Sequence, residues 1–315
     1  MIELLANSLV PIFIGLIFGY AAGSRKVVDN KDVKTLVSFL MIFALPCYLF
    51  VTMASTPREL LWDQAKPALV FAILYVALFV AIYYVSLHLI KDNAANSAVL
   101  ALTLGFPNAA AVGIPLLLAV YGPRASVTVA VALAVGAITI TPITLAILQS
   151  GASGEEKLSH AARVRASVWS AFRNPVFWAP LLGIVIAVIQ LHVPVYLEKG
   201  LVILGAATEG TALFVTGLIV SAQPFTLNWS VFWAVIAKDV IQPALCLVVV
   251  FPLAMPLEQT RYIVLLSAIP CGFFGILFGE GFNATPEVAS SSLIASTVLG
   301  IFTLAGWIVF LNHLH

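Results

Sequence analysis

Four polar side chains stand inside long apolar runs of this sequence, where each of them needs a partner. They are Asn108, Glu209, Lys238 and Asp239. An ionisable group inside a membrane costs several kcal/mol, so it marks a substrate or ion pathway unless it reaches the surface. An amide such as that of Asn108 both donates and accepts hydrogen bonds. These residue types predict recognition of a small polar or charged molecule.

Lys238 and Asp239 are neighbours in the run Ala234-Val-Ile-Ala-Lys-Asp-Val-Ile-Gln-Pro243. Successive helical residues point about 100° apart, so these two side chains do not form a simple mutual ion pair. Lys238 can be a fixed cation in place of sodium, a partner for an acid, or a counter-charge for a substrate. The alternative is that Lys238 reaches the membrane surface while Asp239 caps or pairs locally.

Glu209 is the other acid that we expect to be buried. It can pair with Lys238 or carry a proton. Alternatively, it faces solvent beside a helix break at Gly210. Glu209, Lys238 and Asp239 are therefore the candidates for charge compensation or ion coupling.

Two interruptions of apolar runs must position these groups. The first is Gly105-Phe-Pro-Asn-Ala-Ala-Ala-Val-Gly-Ile-Pro-Leu-Leu117, and the second is Ala268-Ile-Pro-Cys-Gly-Phe-Phe-Gly275. Proline removes an N–H donor and clashes with the preceding turn, so both runs predict broken helices. A break inside a membrane is tolerated only where it is buried or lines a wet cavity. Paired breaks in two halves of a chain point to the substrate site of a secondary transporter.

We expect the substrate to bind where the two breaks cross. The N-termini of half-helices offer free N–H groups and a positive dipole end, which predicts a carboxylate substrate. Asn108 either contacts this substrate or satisfies carbonyls that the break frees. The substrate-binding residues predicted from the breaks are Pro107, Asn108, Gly113, Pro115, Pro270, Cys271, Gly272 and Gly275.

Composition places the chain in a membrane. Of its 315 residues, 62% are hydrophobic and 9% are charged, and the mean hydropathy is +1.08. Apolar stretches of about 18 or more residues with few charges predict membrane helices. The predicted class is an all-α membrane protein with ten transmembrane helices. The predicted spans are 3–22, 34–54, 66–90, 95–121, 125–149, 175–191, 197–222, 229–255, 260–282 and 287–311.

The two halves of the chain predict an inverted repeat. Pro11 in span 1 corresponds to Pro180 in span 6, and Pro107 in span 4 corresponds to Pro270 in span 9. Because each half has five spans, the second half enters the membrane in the opposite direction, and such an inverted repeat is the architecture expected for alternating access. The predicted units are residues 1–149, a linker loop at 150–174, and residues 175–315.

Basic residues in the short loops predict the orientation. One side holds Arg25, Lys26, Lys31, Lys34, Lys91, Lys157, Arg163, Arg165 and Arg173, and the other holds Arg58, Lys66, Arg124, Lys199 and Arg261. The more basic side is expected in the cytoplasm. Both termini and the loops of the second set are then outside.

Signatures of catalysis and of nucleotide or metal binding are missing. The histidines lie at span ends or in loops without His-Glu-x-x-His spacing, and there is no nucleophile elbow and no Walker motif. Cys47, Cys246 and Cys271 show no Cys-x-x-Cys spacing and are expected as free thiols. We expect no enzyme activity, no metal or cofactor, and no nucleic-acid partner. Sodium and protons are both candidates for a coupling ion.

Several segments resemble one family. Pro107-Asn-Ala-Ala-Ala-Val-Gly-Ile-Pro-Leu-Leu117 resembles the fourth-helix motif of the auxin efflux carrier family, and Ala268-Ile-Pro-Cys-Gly272 resembles its crossing motif in helix nine. Phe43-Ala-Leu-Pro46, Phe214-Val-Thr-Gly-Leu218 and the stretch from Lys238 to Pro243 are similar to further segments. The resemblance covers the whole chain.

The resemblance implies a fold similar to bile acid symporters and sodium/proton antiporters. In such a fold, spans 1, 2, 6 and 7 form a scaffold, and spans 3–5 and 8–10 form a transport part. It also implies elevator-like alternating access, a homodimer, and small organic anions whose carboxylate contacts Asn108. The central loop is short, unlike that of the long plant members. The chain is therefore similar to bacterial members of the inner membrane, such as malonate carriers.

These observations lead to three hypotheses. The first is a secondary transporter of malonate or a related carboxylate. The second is an auxin-like efflux carrier of aromatic carboxylates. The third is a membrane sensor that binds the same anion in a transporter fold, which is weakened because the chain has no segment long enough for an output domain.

Overall fold

The computed structural model describes residues 2–29, 33–152 and 175–314. Every regular element in these ranges is a helix, and beyond one isolated bridge they contain no strand. The predicted all-α class is confirmed for this part of the chain. Most of the predicted linker 150–174 lies outside it, as do Lys31, Lys157, Arg163, Arg165 and Arg173 of the orientation argument.

The helices are numbered in chain order. They are α1 (Ile2–Ser24), α2 (Val33–Ala54), α3 (Arg58–Asp63), α4 (Ala65–Val85, continued by a π turn at Ser86–Ile90), α5 (Ala94–Gly105), α6 (Ala109–Tyr121), α7 (Pro123–Ile138), α8 (Ile140–Ala152), α9 (Pro175–Val188), α10 (Val195–Ala222), α11 (Trp229–Leu253), α12 (Leu257–Ala268), α13 (Phe274–Glu280) and α14 (Glu287–Asn312).

Seven stretches of the described residues are long and apolar enough to cross a membrane. They are α1, α2, α3 with α4, α7 with α8, α10, α11 and α14. The predicted span 95–121 is divided into α5 and α6, and 260–282 is divided into α12 and α13. At 175–191 the structure describes the 14-residue helix α9. The chain is therefore a multi-pass membrane protein, while ten spans remain a prediction.

The two divided spans end their first halves just before a proline. α5 ends at Gly105 and α12 ends at Ala268. The residues that precede Pro107 and Pro270 have extended ψ angles of 114° and 142°. A residue before proline avoids the α region because the ring crowds its backbone, so both helices stop there.

Three other prolines within the helical runs follow wider turns, whereas Pro11 and Pro180 lie inside the regular helices α1 and α9. α2, α6 and α11 each contain a π turn, in which the N–H that closes the turn bonds the carbonyl five residues back. The residue immediately after each closing N–H is a proline; these are Pro46, Pro115 and Pro243. A wider turn relieves the clash of the ring with the preceding carbonyl, so these helices continue instead of breaking.

Four helices, α1, α2, α9 and α10, pack together as one group. α1 lies against α10, and their backbones approach so closely that a Cβ at Gly19 would collide with the carbonyl of Phe214. Similarly, a Cβ at Gly183 of α9 would lie 2.6 Å from the carbonyl oxygen of Phe50 in α2. The glycines of α1 therefore serve packing within the chain. These helices correspond to the predicted spans 1, 2, 6 and 7.

The remaining helices pack around the two divided spans. α5 contacts α4, α8 and α13, while α11 contacts α12 and α14. α10 also contacts the first turn of α6, which links the four-helix group to the first break. Both breaks are therefore enclosed by long helices, as backbone without helical hydrogen bonds requires inside a membrane.

Candidate functional site

The two breaks cross and bond to each other. Pro107 and Cys271 form an antiparallel bridge, and the N–H of Asn108 donates to the carbonyl of Pro270 over 3.0 Å. The N–H of Gly272 donates to the carbonyl of Thr103, also over 3.0 Å. Backbone groups freed by one break are thus satisfied by the other, which is the arrangement expected where water is excluded.

Glycines permit this close crossing. A Cβ at Gly272 would collide with the carbonyl of Phe106. A Cβ at Gly275 would collide with the hydroxyl of Thr103 and lie 2.5 Å from the carbonyl oxygen of Val99. The position of Gly113 is less crowded, since a Cβ there would lie 3.2 Å from side-chain carbons of the facing helix end. The first two glycines are required by the crossing itself.

Asn108 is almost completely buried, with 1% of its surface exposed. Its Nδ2 donates to Oγ1 of Thr216 over 3.2 Å, and Thr216 uses its own hydrogen on the carbonyl of Ala212. Thr216 must therefore accept from Asn108, which determines the orientation of the amide. Oδ1 of Asn108 then has no partner among the described residues. A buried acceptor without a donor costs roughly 1–3 kcal/mol, so this atom is a candidate ligand contact.

Lys238 and Gln242 donate hydrogen bonds to the last turns of α12 and α5, the two helices that end at the breaks. Nζ of the fully buried Lys238 donates over 2.8 Å to the carbonyl of Ser267, in the last turn of α12. Nε2 of Gln242 donates over 2.9 Å to the carbonyl of Leu104, in the last turn of α5. The last carbonyls of a helix have no intrahelical partner, and a cation there also interacts favourably with the helix dipole.

Gln242 is a site residue that the sequence interpretation missed. It lies four residues after Lys238, and this spacing places both side chains on one face of a helix. The same spacing in the sequence could have indicated a shared role. Lys238 does not reach the membrane surface, so that alternative for Lys238 is wrong.

Asp239 connects to the second break through Ser296 of α14. Ser296 donates to Oδ1 of Asp239 over 2.6 Å and accepts the N–H of Cys271 over 3.1 Å. The backbone carbonyl of Asp239 accepts from the indole of Trp307. Oδ2 of Asp239 has no partner within the described ranges. Ser296 was also missed, because nothing in the sequence relates it to Cys271.

Glu209 does not belong to this cluster. It is half-buried on α10, and among the described residues no ion pair links it to Lys238. The predicted helix break at Gly210 is also wrong, since α10 runs without interruption from Val195 to Ala222. A single glycine costs a helix only about 1 kcal/mol, which packing easily offsets.

The crossing is closed in this conformation. The cavity beside it, between Phe106 and Phe274, has a volume of about 20 Å³, which is close to the space that one water molecule needs. Pro115 lies nearly two turns beyond Asn108, where it follows the π turn of α6. The described residues contain no group of three or more His, Cys, Asp or Glu side chains that could hold a metal ion.

The arrangement suits an anion with a polar partner group. α6 begins at Ala109, directly after Asn108. The N–H of Ala109 donates to the carbonyl of Pro107 and that of Val112 to the carbonyl of Asn108, so the N–H groups of Ala110 and Ala111 are the ones that this helix end can offer to a ligand. The amide oxygen of Asn108 adds an acceptor at the same place. A ligand that fits both presents a carboxylate to the helix end and a donor to the amide.

Comparisons with known proteins agree with this architecture. The family described as membrane transport protein matches residues 4–308. An uncharacterized transporter, YfdV of Escherichia coli strain K12, is 28% identical over 313 residues, which cover 98% of each chain. Auxin efflux carrier component 8 of Arabidopsis thaliana is 24% identical over 146 residues, which are 44% of this chain and 40% of the relative. Component 1 is 25% identical over 142 residues, 42% of this chain and 23% of the relative.

Proposed function

The chain belongs to the membrane transport protein family, which matches nearly its whole length, and from this premise we propose that it is a secondary active transporter of small organic anions. Malonate or a related carboxylate is the first candidate substrate. The observation that carries this proposal is the unpaired, buried amide oxygen of Asn108 at the crossing.

The hydrogen bonds of Asn108 define the chemistry of the ligand. One N–H of its amide bonds Thr216, so the second N–H and Oδ1 remain for a ligand. A carboxylate oxygen can accept that N–H, whereas Oδ1 requires a donor. The best ligand therefore carries an O–H or N–H close to its carboxylate. The singly protonated form of malonate has both groups.

An aromatic carboxylate with an N–H is the second candidate, as in auxin-like efflux. The ring centroid of Phe106, beside the break, lies 5.2 Å from that of Tyr75 and 5.9 Å from that of Phe274. Rings next to a polar crossing favour a substrate with a flat apolar part. Indole-3-acetate combines such a part with a carboxylate and a ring N–H.

Elevator-like alternating access follows from the same premise. The support is that α1, α2, α9 and α10 pack as one group, while the breaks belong to the other helices. The bond from Asn108 to Thr216 joins the two groups and has to break when they slide. A homodimer in the inner membrane with both termini outside completes the proposal.

Protons are the first candidate for the coupling ion. Oδ2 of Asp239 is buried and unpaired, so a bound proton would let it act as a donor. Lys238 places a positive charge on the neighbouring residue, and this charge opposes the binding of a sodium ion and of a proton alike. Sodium remains the second candidate, and a flux assay distinguishes the two.

Uptake of labelled malonate into proteoliposomes, with and without proton and sodium gradients, tests the function. Malonate is compared with its monomethyl ester at a pH between the two ionisations of malonate, where the malonate monoanion keeps an O–H and the ionised ester has none. Indole-3-acetate is compared with its N-methyl derivative. We expect saturable flux that follows the proton gradient and at least tenfold weaker competition by the two derivatives. The absence of flux for all these carboxylates would contradict the proposed function, and equal competition by the derivatives would contradict the donor requirement.

A further inference from the structure

A cavity outside the two breaks lies at one end of the four-helix group. It is an open pocket with a volume of about 580 Å³, and it lies where α2 and α9 end and where α3 and α10 begin. Residues of the two breaks do not line it. This volume is in the range of pockets that bind small molecules, so the pocket is large enough for a ligand of its own. We call it the end pocket.

The end pocket has an apolar floor and a charged rim. The partly buried Phe50, Val51 and Ile186 form the floor, and the charged residues that line the pocket are Arg58, Glu59 and Glu198. Ser55 donates to Oε1 of Glu198 over 3.4 Å, which holds this carboxylate at the mouth of the pocket and leaves Oε2 for a ligand. A ligand that matches this surface has an apolar part and a head with charges of both signs.

The position of the end pocket indicates where this ligand comes from. The helices that end or begin there, α2 and α10, are long enough to cross the membrane, so their ends lie at the level of lipid headgroups. We propose that the end pocket binds a bilayer phospholipid with a primary ammonium group, of the phosphatidylethanolamine class. Its phosphate pairs with Arg58, its ammonium donates to Glu198, and its glycerol and upper acyl carbons cover the apolar floor.

This proposal does not depend on the substrate at the crossing. The end pocket should distinguish a primary ammonium from a quaternary ammonium. The first donates three hydrogen bonds and the second donates none, so phosphatidylcholine can keep the phosphate contact but lose the bond to Glu198.

Native mass spectrometry of the purified full-length chain, titrated with single phospholipids, tests the proposal. Phosphatidylethanolamine is compared with phosphatidylcholine and phosphatidylglycerol of identical acyl chains. We expect the first to bind about fivefold tighter than the other two, which is the upper end for an exposed ion pair. Three variants accompany the wild type: Glu198→Gln, Arg58→Gln and, as a matched control, Lys199→Gln, whose exposed side chain does not line the pocket.

The variants test the contacts of the ammonium and of the phosphate separately. Glu198→Gln should reduce phosphatidylethanolamine binding to the phosphatidylcholine level and leave phosphatidylcholine unchanged. Arg58→Gln should weaken all three lipids, because all of them carry the phosphate, and Lys199→Gln should change none. Equal binding of the three lipids by the wild type would overturn the proposal. Displacement of the lipid by malonate would also overturn it. The same holds if Glu198→Gln and Arg58→Gln change the monomer-to-dimer ratio but leave lipid binding unchanged.

Discussion

Replacing Gln242 by methionine should destabilise the protein although the side chain keeps its length. Gln242 is 5% exposed, and its Nε2 supplies the hydrogen bond to the carbonyl of Leu104 over 2.9 Å. The two carbonyls that precede that of Leu104 in the last turn of α5 have other donors. The N–H of Phe106 donates to the carbonyl of Leu102, and the N–H of Gly272 donates to the carbonyl of Thr103. The variant therefore leaves one buried carbonyl without a donor.

The expected loss is about 1–3 kcal/mol of unfolding free energy, the usual cost of an unsatisfied buried polar group. With the relation between unfolding free energy and Tm that holds for soluble domains, this loss corresponds to a fall in Tm on the order of 2–8 °C. Circular dichroism of the protein in detergent, followed at the helical band during heating, measures it. This thermal midpoint can be measured whether or not the variant transports a substrate.

Gln259 provides a matched control for this experiment. Its Nε2 also donates to a backbone carbonyl, that of Asp63 over 3.2 Å, but this bond is exposed to solvent. Gln259→Met should therefore change the unfolding free energy by no more than about 0.5 kcal/mol. Equal midpoints for Gln242→Met, Gln259→Met and the wild type would refute the inference that Gln242 stabilises the first break.

Three further predictions concern the crossing. Asn108→Ala should abolish binding of the carboxylate in the purified protein while the helical content stays the same; unchanged affinity would remove Asn108 from the site. Lys238→Met should change the ion and pH dependence of flux into proteoliposomes, and a wild-type profile would limit Lys238 to capping α12. Gly275→Ala should lower the thermal midpoint markedly, because the new Cβ collides with the hydroxyl of Thr103. By contrast, a Cβ at Gly210 meets no atom within 4 Å, so Gly210→Ala should stabilise α10 by about 0.5–1 kcal/mol. Similar midpoints for the two glycine variants would contradict the close packing at Gly275.

The helix breaks could be predicted from the sequence because their cause is local. A proline inside an apolar run removes an N–H donor and crowds the residue before it wherever the chain lies, and Pro107 and Pro270 indicated where α5 and α12 end. The same reasoning does not show how a helix accommodates a proline. Pro243 follows a wider turn and α11 continues, which depends on packing around the helix rather than on the residue itself.

The partners of the broken ends could not be predicted, because they are distant in the sequence. Leu104 and Gln242 are separated by 138 residues, and Asn108 and Thr216 by 108. A threonine or a glutamine in an apolar run needs a hydrogen-bond partner, but its type alone does not identify which distant backbone or side-chain group that partner is. Glu209 shows the opposite error, since an acid in an apolar run suggested a buried charge but the structure leaves it half-buried on α10.

The π turn of α11 determines which side of the helix faces the bilayer after it. A residue added to or removed from a helix rotates everything downstream by about 100°. Cys246 is fully buried while Val248 is 69% exposed, so this rotation would move a thiol toward the lipid and a lipid-facing valine into the protein. Deleting Val240 to restore regular helical phase would therefore misplace the second half of α11. Single-residue insertions and deletions should be tolerated much less in this segment than substitutions.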